Sequence, residues 1–231
     1  MLSISGVNQF YGQSHILWDL NLEVQEGACA CLMGRNGVGK TTLLKCLMGL
    51  LPIKSGEITF NGKAISKVST EMRARGGIGY VPQGREIFPM LSVEENLRIS
   101  LGGRKDGLKQ IPAHIYSMFP VLKEMRHRRG GDLSGGQQQQ LAIGRALVLD
   151  PKLLILDEPT EGIQPNIVRE IGEVIKRLNR EQGLTVLLVE QKLPFARQAA
   201  SDFHILQKGR LVAEGKIADL SDGVVQEYLS V

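Results

Sequence analysis

The segment GRNGVGKT, residues 34–41, constrains the fold of this chain more than any other stretch. A short apolar run, GACACLMG, leads into it, and apolar residues at helical spacing follow in KTTLLKCLMGLL. Glycines let consecutive backbone N–H groups curl around phosphate oxygens, and the N-terminus of the following helix adds a field that favours an anion. The pattern predicts a phosphate-binding loop between a buried strand and a helix.

Two side chains of this loop carry specific chemistry. Lys40 can place a positive charge on the β- and γ-phosphates, and Thr41 can offer its hydroxyl to Mg²⁺. The sequence therefore predicts that the chain binds ATP with Mg²⁺. The residues expected to contact the nucleotide here are Gly34, Arg35, Asn36, Gly37, Val38, Gly39, Lys40, Thr41 and Thr42.

The segment LLILDEP supplies the acidic half of the expected site. Its apolar residues indicate a buried strand, and Asp157 comes where that strand ends, in a position to meet the metal ion. Glu158 follows directly, and a carboxylate there can polarise a water molecule for attack on the γ-phosphate. A strand end capped by acidic residues is a common alternative, but the phosphate loop in the same chain favours the catalytic interpretation.

The rest of the chain predicts an α/β fold with a helical lobe. Alternating apolar residues in LSISGVNQF and ILWDLNLEV indicate two strands with a turn around Tyr11 and Gly12, and FHILQKGRLVAEG indicates a hairpin around Lys208 and Gly209. The runs PKLLILDEP and LTVLLVE flank an amphipathic helix, which is the strand–helix–strand pattern of a parallel sheet. We expect the helix after the phosphate loop to end at Pro52 and the Ser55-Gly56 pair.

Residues 84–150 contain no β-rich segment and read as helical. Ser92 stands three residues before Glu95, which is the spacing of a capping box at a helix start, and Pro112 and Pro120 interrupt a second helical stretch. We therefore expect one domain over residues 1–231. Its core would comprise 1–83 and 151–231, and its helical lobe would comprise 84–150.

Composition narrows the classes of protein without choosing one. Apolar residues make up 42% of the 231 and charged residues 23%, which is typical of a globular chain rather than a disordered one. The formal charge of +4 permits an anionic partner but does not require one. No apolar run has the length of a membrane helix and no secretory leader is evident, so we expect any membrane role to come through a partner. The cysteines are expected to be buried free thiols: Cys29, Cys31 and Cys46.

The stretch GDLSGGQQQQ runs straight into the apolar segment LAIGRALVL. Together with the phosphate loop and LLILDEP, it makes nearly the whole chain resemble the ATP-binding subunit of ABC transporters. The fold implied is a P-loop NTPase of the ABC type, with a parallel core sheet, an antiparallel β subdomain and a helical lobe. In that family LSGGQ opens a helix and closes over the γ-phosphate held by the partner subunit. The residues carried over are Ser134, Gly135, Gly136 and Gln137.

The resemblance implies roles for several further residues. Tyr11 matches the aromatic residue that stacks on adenine, although a tyrosine in a strand core is the alternative. Gln83, in YVPQ, matches the glutamine that contacts Mg²⁺ or the attacking water, and Gln191 stands where most of the family has a histidine that orients this water and Glu158. Gln164 stands where the family usually has an aspartate, which leaves crosstalk between two ATP sites open.

The polar residues on either side of LSGGQ are predicted to face solvent. Glutamine has good helix propensity, so residues 138–140 are expected to be the exposed first turns of the helix. The basic residues before the signature are expected to form a solvated face rather than an anion site: Arg126, Arg128 and Arg129.

Among proteins with such a cassette, the sequence favours an importer ATPase. DNA-repair ATPases need a long coiled-coil insertion between phosphate loop and signature, and translation factors of this type carry two cassettes, whereas this chain has neither. The segments GREIFPMLSVEENL and VEQ resemble the branched-chain amino-acid and urea importer group, and LSGGQQQQLAIGRALVLDPKLLILDEPTEGIQPNIV most resembles the urea system. A branched-chain or other amino-acid importer is the alternative, and a non-transport ABC ATPase is less favoured.

The resemblance also implies an assembly. A second ATP-binding subunit, expected to be a paralogous chain, would pair head to tail with this one. Integral membrane permease subunits would dock on the pair, and a periplasmic binding protein would deliver the solute to them. The chain is thus expected in the cytoplasm, peripheral on the inner face of the membrane, with no nucleic-acid partner.

Overall fold

A computed structural model describes residues 1–229 of the chain. The strands are β1 (Leu2–Tyr11), β2 (Ser14–Val24), β3 (Cys29–Met33), β4 (Ser55–Phe60), β5 (Lys63–Ala64), β6 (Ile78–Val81), β7 (Leu153–Asp157), β8 (Thr185–Val189), β9 (Asp202–Gln207) and β10 (Arg210–Lys216). The helices are α1 (Lys40–Met48), α2 (Thr70–Arg75), α3 (Val93–Ile99), α4 (Ala113–Met118), α5 (Pro120–Glu124), α6 (Gly135–Val148), α7 (Pro165–Gln182), α8 (Leu193–Ala199) and α9 (Asp222–Tyr228).

The larger sheet has the strand order β10-β9-β3-β8-β7-β6, and only the β9–β10 pair is antiparallel. Every residue of β3, β7 and β8 is buried, as expected for parallel strands covered on both faces. Alternate residues face opposite sides. Leu154 and Leu156 pack in a core with α6, α7 and α8, whereas Leu153 and Ile155 pack in a second core with α1 and the smaller sheet.

The smaller sheet has the order β2-β1-β4-β5 and is antiparallel throughout. The predicted fold class is confirmed: a parallel core sheet, an antiparallel sheet and a group of helices. The predicted hairpin around Lys208 and Gly209 joins β9 to β10. The tip of this hairpin is hydrogen-bonded to two other segments of the chain. Gly209 N–H donates to Val38 O at 2.9 Å, and Trp18 N–H of β2 donates to Gly209 O at 2.9 Å.

The helices α3 to α6 occupy the segment that was expected to be helical. Ser92 and Glu95 form the predicted capping box at the start of α3. The proline breaks also appear: Pro112 precedes α4, and Pro120 is the first residue of α5. The division of the chain at residues 84 and 150 into a core and a lobe stays a prediction.

The expected end of α1 was wrong. The helix stops at Met48, because Gly49 adopts a left-handed conformation with φ 74° and its N–H bonds back to Lys45 O and Cys46 O. Pro52 therefore lies beyond the helix end. Ser55 and Gly56 also lie beyond the helix end, as the first residues of β4.

Burial of the thiols agrees with the expectation, since Cys29, Cys31 and Cys46 are all buried and free. Within residues 1–229, no helix is both long and apolar enough to cross a lipid bilayer. The exposed positions of Arg126, Arg128 and Arg129 agree with a solvated face.

Candidate active site

The phosphate loop connects the end of β3 to the start of α1, as predicted. Its glycines take left-handed backbone conformations, with φ 150° at Gly34, 80° at Gly37 and 110° at Gly39. At Gly34 a Cβ atom would lie 2.4 Å from the backbone oxygen of Leu206, which leaves no room for any other residue. The chain can therefore form this tight cradle of N–H groups only with glycine here.

Lys40 lies across the loop that precedes it. Its side chain is 5% exposed, and Nζ donates to Gly34 O at 2.8 Å and to Arg35 O at 3.0 Å. Glu158 Oε1 lies 3.6 Å from the same nitrogen. Burial lowers the pKa of Lys40, while the negative charge of Glu158 opposes that shift. These bonds hold the ammonium against the phosphate loop, and its contact with the nucleotide phosphates stays a prediction.

Asp157 ends β7 and is 2% exposed. Burial, and secondarily the nearby charge of Glu158, raises the pKa of its carboxyl from about 3.8 to about 6, although Lys40 lowers it. Asp157 Oδ2 is buried and has no hydrogen-bond partner within residues 1–229. A buried oxygen without a partner is costly, and a divalent cation would satisfy it. These observations fit Mg²⁺, which prefers carboxylate and hydroxyl oxygens, with Thr41 as the predicted second ligand.

Glu158 lies at the centre of a small polar network. Its backbone has φ 47°, in the left-handed region, and its N–H donates to Val189 O at 2.9 Å. Gln191 Nε2 donates to Glu158 Oε1 at 2.5 Å and to Asn36 Oδ1 at 2.7 Å. Gln191 therefore joins the phosphate loop to Glu158, so the structure brings together three residues predicted from separate segments. A role of Gln191 in orienting water remains a prediction.

Gln83 follows β6 and approaches the same carboxylates. Its Nε2 donates to Glu161 Oε2 at 2.9 Å and more weakly to Glu158 Oε2 at 3.4 Å. Glu161 was not expected at the site. Its approach follows from the adjacent parallel strands β6 and β7, whose carboxyl ends lie side by side.

Tyr11 lies at the end of β1, paired with Ser14 across the hairpin. It is 46% exposed, so the alternative reading as a core tyrosine was wrong. Ile16 and Leu17, a little further along β2, lie close to the position that a Cβ of Gly39 would occupy. Tyr11 is therefore available at the surface on the strand pair that borders the phosphate loop, and its contact with adenine remains a prediction.

The signature opens α6, as expected. Ser134 is its N-cap, with Ser134 Oγ accepting from Gln137 N–H at 3.4 Å, while Gln137 Oε1 accepts from Ser134 N–H at 2.9 Å. A Cβ on Gly136 would lie 2.8 Å from Ile167 Cγ2 of α7, so this glycine is needed for packing within the chain. Ser134 is exposed, Gly135 and Gln137 are partly so, and Gly136 is buried. Their contact with a partner's nucleotide stays a prediction.

The expectation that residues 138–140 are exposed was wrong. Gln139 is 3% exposed and Gln140 is 6% exposed. Gln138 donates to the carbonyls of Gly130 and Leu133 and accepts from Arg85 Nη1, while Gln140 donates to Glu170 Oε2 at 3.2 Å. The run fixes the start of α6 against its neighbours instead of facing water.

Sequence reasoning missed another part of the site, which lies behind Gln191. The buried side chains of Thr160 and Glu190 are hydrogen-bonded to each other at 2.6 Å. The only sequence signal was an acid directly after the apolar run LTVLLV, where a charge must find partners if it is buried.

Gln164 is exposed at the start of α7.

Comparison with known proteins agrees with this geometry. Residues 17–161 match the family model described as ABC transporter. The chain is 43% identical to the high-affinity branched-chain amino acid transport ATP-binding protein BraG of Pseudomonas aeruginosa, covering 92% of this chain and 91% of the relative. It is 35% identical to the probable branched-chain amino acid transport ATP-binding protein LivF of Archaeoglobus fulgidus, covering 95% and 94%.

A solved structure has the same fold. It is the dimeric post-hydrolysis state of the ATP-binding cassette MJ0796 bound to ADP and Pi, with a TM-score of 0.85 and 27% identity. The match covers 94% of this chain and 99% of that chain.

Proposed function

Because this chain belongs to the ABC transporter family as an ATP-binding subunit, we propose that it powers import of branched-chain amino acids. The chain is an ATPase of an importer, and it binds ATP with Mg²⁺. The observation that carries the choice of solute is the 43% identity, over 92% of the chain, to a relative named for branched-chain amino acid transport. LivF points to the same solute class.

The geometry above supports one proposed role for each residue of the site. Lys40 and the loop N–H groups hold the phosphates, and Glu158 takes the proton from the attacking water. Gln191 keeps the Glu158 carboxylate aimed at the phosphate loop through its bonds to Glu158 and Asn36. Asp157, Thr41 and Gln83 would hold Mg²⁺, which when bound neutralises charge on the phosphate oxygens.

The proposed assembly follows from the relatives. The matched structure of the MJ0796 cassette is dimeric. We infer that this chain pairs with a second, paralogous ATP-binding subunit, so that the signature led by Ser134 covers the partner's nucleotide. The pair would lie on the cytoplasmic face of permease subunits, and a periplasmic binding protein would deliver the solute. No nucleic-acid partner is proposed.

Urea, the solute that the sequence first favoured, is now the second candidate. It rests on the segment that begins with LSGGQQQQ and ends with TEGIQPNIV, which resembles the urea system. The named relatives at 43% and 35% identity are branched-chain amino acid proteins, and they favour the alternative.

An uptake experiment separates the two solutes. A strain lacking this chain should lose uptake of labelled leucine, isoleucine and valine, and the wild-type chain supplied from a plasmid should restore it. The Lys40→Ala chain should not restore uptake, because the phosphate loop loses its charge. Lys67→Ala is the matched control, since Lys67 is exposed between β5 and α2 and is not part of the phosphate loop, so this variant should restore uptake fully. Loss of urea uptake with unchanged amino-acid uptake would overturn the proposal in favour of urea.

A further inference from the structure

A carboxylate that the mechanism above does not use lies buried directly before Gln191. Glu190 is 2% exposed, although it follows β8 by one residue. Its Oε2 accepts from Thr160 Oγ1 at 2.6 Å, and its Oε1 accepts from two consecutive backbone N–H groups, those of Gln191 at 2.8 Å and Lys192 at 3.0 Å. Three donors offset the cost of burying a charge, so this carboxylate has a fixed position.

Thr160 is held from a second direction. Its side chain is fully buried, and its carbonyl oxygen accepts from Lys192 Nζ at 2.9 Å. The segments 158–160 and 189–192 are therefore joined by the Glu190 carboxylate, by the Lys192 ammonium and by the bond from Glu158 N–H to Val189 O. One of these segments carries Glu158 and the other carries Gln191.

We propose that Glu190 is a positioning residue for ATP hydrolysis, acting through Gln191 and Glu158. Its two bonds to backbone N–H groups fix the turn that aims the Gln191 side chain, and its bond to Thr160 fixes the chain just after Glu158. Together they keep Gln191 Nε2 within hydrogen-bond distance of Glu158 Oε1. The inference concerns the ATPase activity alone and is independent of the transported solute.

The alternative is that Glu190 only contributes to stability, and a mutant cycle separates the two. Phosphate release is measured over a range of Mg·ATP concentrations with the full-length chain paired with its ATP-binding partner, whose own catalytic glutamate is replaced. The ATP dissociation constant and the Tm are measured alongside. The variants are Glu190→Ala, Gln191→Ala and the double variant. Glu190→Ala should lower kcat at least about tenfold, because a displacement of about 1 Å in a catalytic group costs on the order of 10²-fold. Its ATP dissociation constant should change less than about threefold, a small shift in binding free energy.

The coupling between the effects of Glu190→Ala and Gln191→Ala on kcat is the decisive measurement. If Glu190 acts through Gln191, the double variant should be within about twofold of the poorer single variant, because interacting residues give non-additive losses. Losses of kcat that multiply in the double variant would overturn the proposal. An ATP dissociation constant that rises as much as kcat falls would overturn it too.

Asn179→Ala is the matched stability control. Asn179 Nδ2 donates to Gly27 O at 2.8 Å and Leu184 O at 2.9 Å, at the opposite end of β8 from Glu190. This variant should lower the Tm and leave kcat unchanged. If it reduces kcat as much as Glu190→Ala does at a similar Tm, the effect of Glu190 is one of stability and the proposal fails.

Two gentler variants keep the test valid if Glu190→Ala does not fold. In Glu190→Gln the amide oxygen can accept both backbone N–H groups, while the amide nitrogen can donate to Thr160 Oγ1. It should therefore keep kcat much closer to wild type than the alanine variant. Thr160→Val removes only the hydroxyl, and it should lower kcat non-additively with Gln191→Ala. A Glu190→Gln variant as slow as the alanine variant, or a fully additive Thr160→Val, would contradict positioning through hydrogen bonds.

Discussion

Replacing Asp157 by asparagine should change how the stability of the nucleotide-free chain depends on pH. The Asp157 carboxyl is 2% exposed, and burial, with the charge of Glu158, raises its pKa from about 3.8 to about 6. The folded chain thus keeps this proton up to about pH 6, whereas the unfolded chain releases it near pH 4. Because the folded state binds more protons in that window, the free energy of unfolding falls as pH rises through it.

The size of the effect follows from the shift. A difference of this size between folded and unfolded pKa values corresponds to about 3 kcal/mol lost once pH exceeds 6. Asparagine cannot ionise, so Asp157→Asn lacks this loss. The stability difference, variant minus wild type, should grow by about 2 kcal/mol between pH 4.5 and pH 7.5, since part of the wild-type loss is already present at pH 4.5.

The assay is urea unfolding of both proteins at the two pH values, with EDTA and without nucleotide. Asp106→Asn is the control, because the hydrogen bond from Arg104 lowers the pKa of Asp106 to about 2. That transition is nearly complete at pH 4.5, so the control should show almost no change between the two pH values. A difference for Asp157→Asn that is constant or shrinks with rising pH would refute the assigned environment. The variant should also bind Mg·ATP more weakly, as it lacks the metal-binding carboxylate.

Further substitutions at Glu158, Gln191 and Gly136 test other parts of the site. Glu158→Gln should keep ATP binding and lower phosphate release about 10²–10⁴-fold, since the amide keeps the shape and loses the base; unchanged turnover would exclude Glu158 as that base. Gln191→Ala should lower turnover modestly and Gln191→His should raise it or leave it unchanged, measured as single-site turnover with the partner's catalytic glutamate replaced. This chain's site should also be slower than that of a partner that keeps histidine, and a faster site here would contradict the role of Gln191. Gly136→Ala should destabilise the fold by about 1–3 kcal/mol in urea unfolding, because its Cβ would meet Ile167 at 2.8 Å. Ile167→Ala in the same chain should recover part of that loss. Additive losses from the two substitutions would argue against the clash.

The parts of the site that lie within one short segment could be predicted from the sequence. The glycines of the phosphate loop and the Asp157-Glu158 pair each depend on local backbone geometry next to a buried strand. A pattern of a few residues is enough to predict each of them. The glutamine run could not be predicted in this way. Helix propensity favours an exposed turn there, but α6 starts between neighbours that bury Gln139 and Gln140.

The network behind Gln191 was hidden for a different reason. Thr160 and Glu190 are 30 residues apart, and they meet because β7 and β8 pair in parallel with Asp157 opposite Val189. That register is a property of the sheet, which sequence pattern alone does not specify. The end of α1 differs from the prediction because Gly49 stops the helix through its own left-handed backbone conformation, before Pro52 is reached.

The hairpin tip at Gly209 has a consequence for how nucleotide affinity is distributed. Gly209 is bonded both to Val38 in the phosphate loop and to Trp18 in β2, which ties the smaller sheet to the loop. If Tyr11 holds adenine, these bonds fix the spacing between the base and the phosphate loop. The base would contribute the same binding energy to ATP, to the transition state and to ADP, and such uniform binding lowers KM without raising kcat. Discrimination between ATP and ADP would be left to the groups that meet the γ-phosphate.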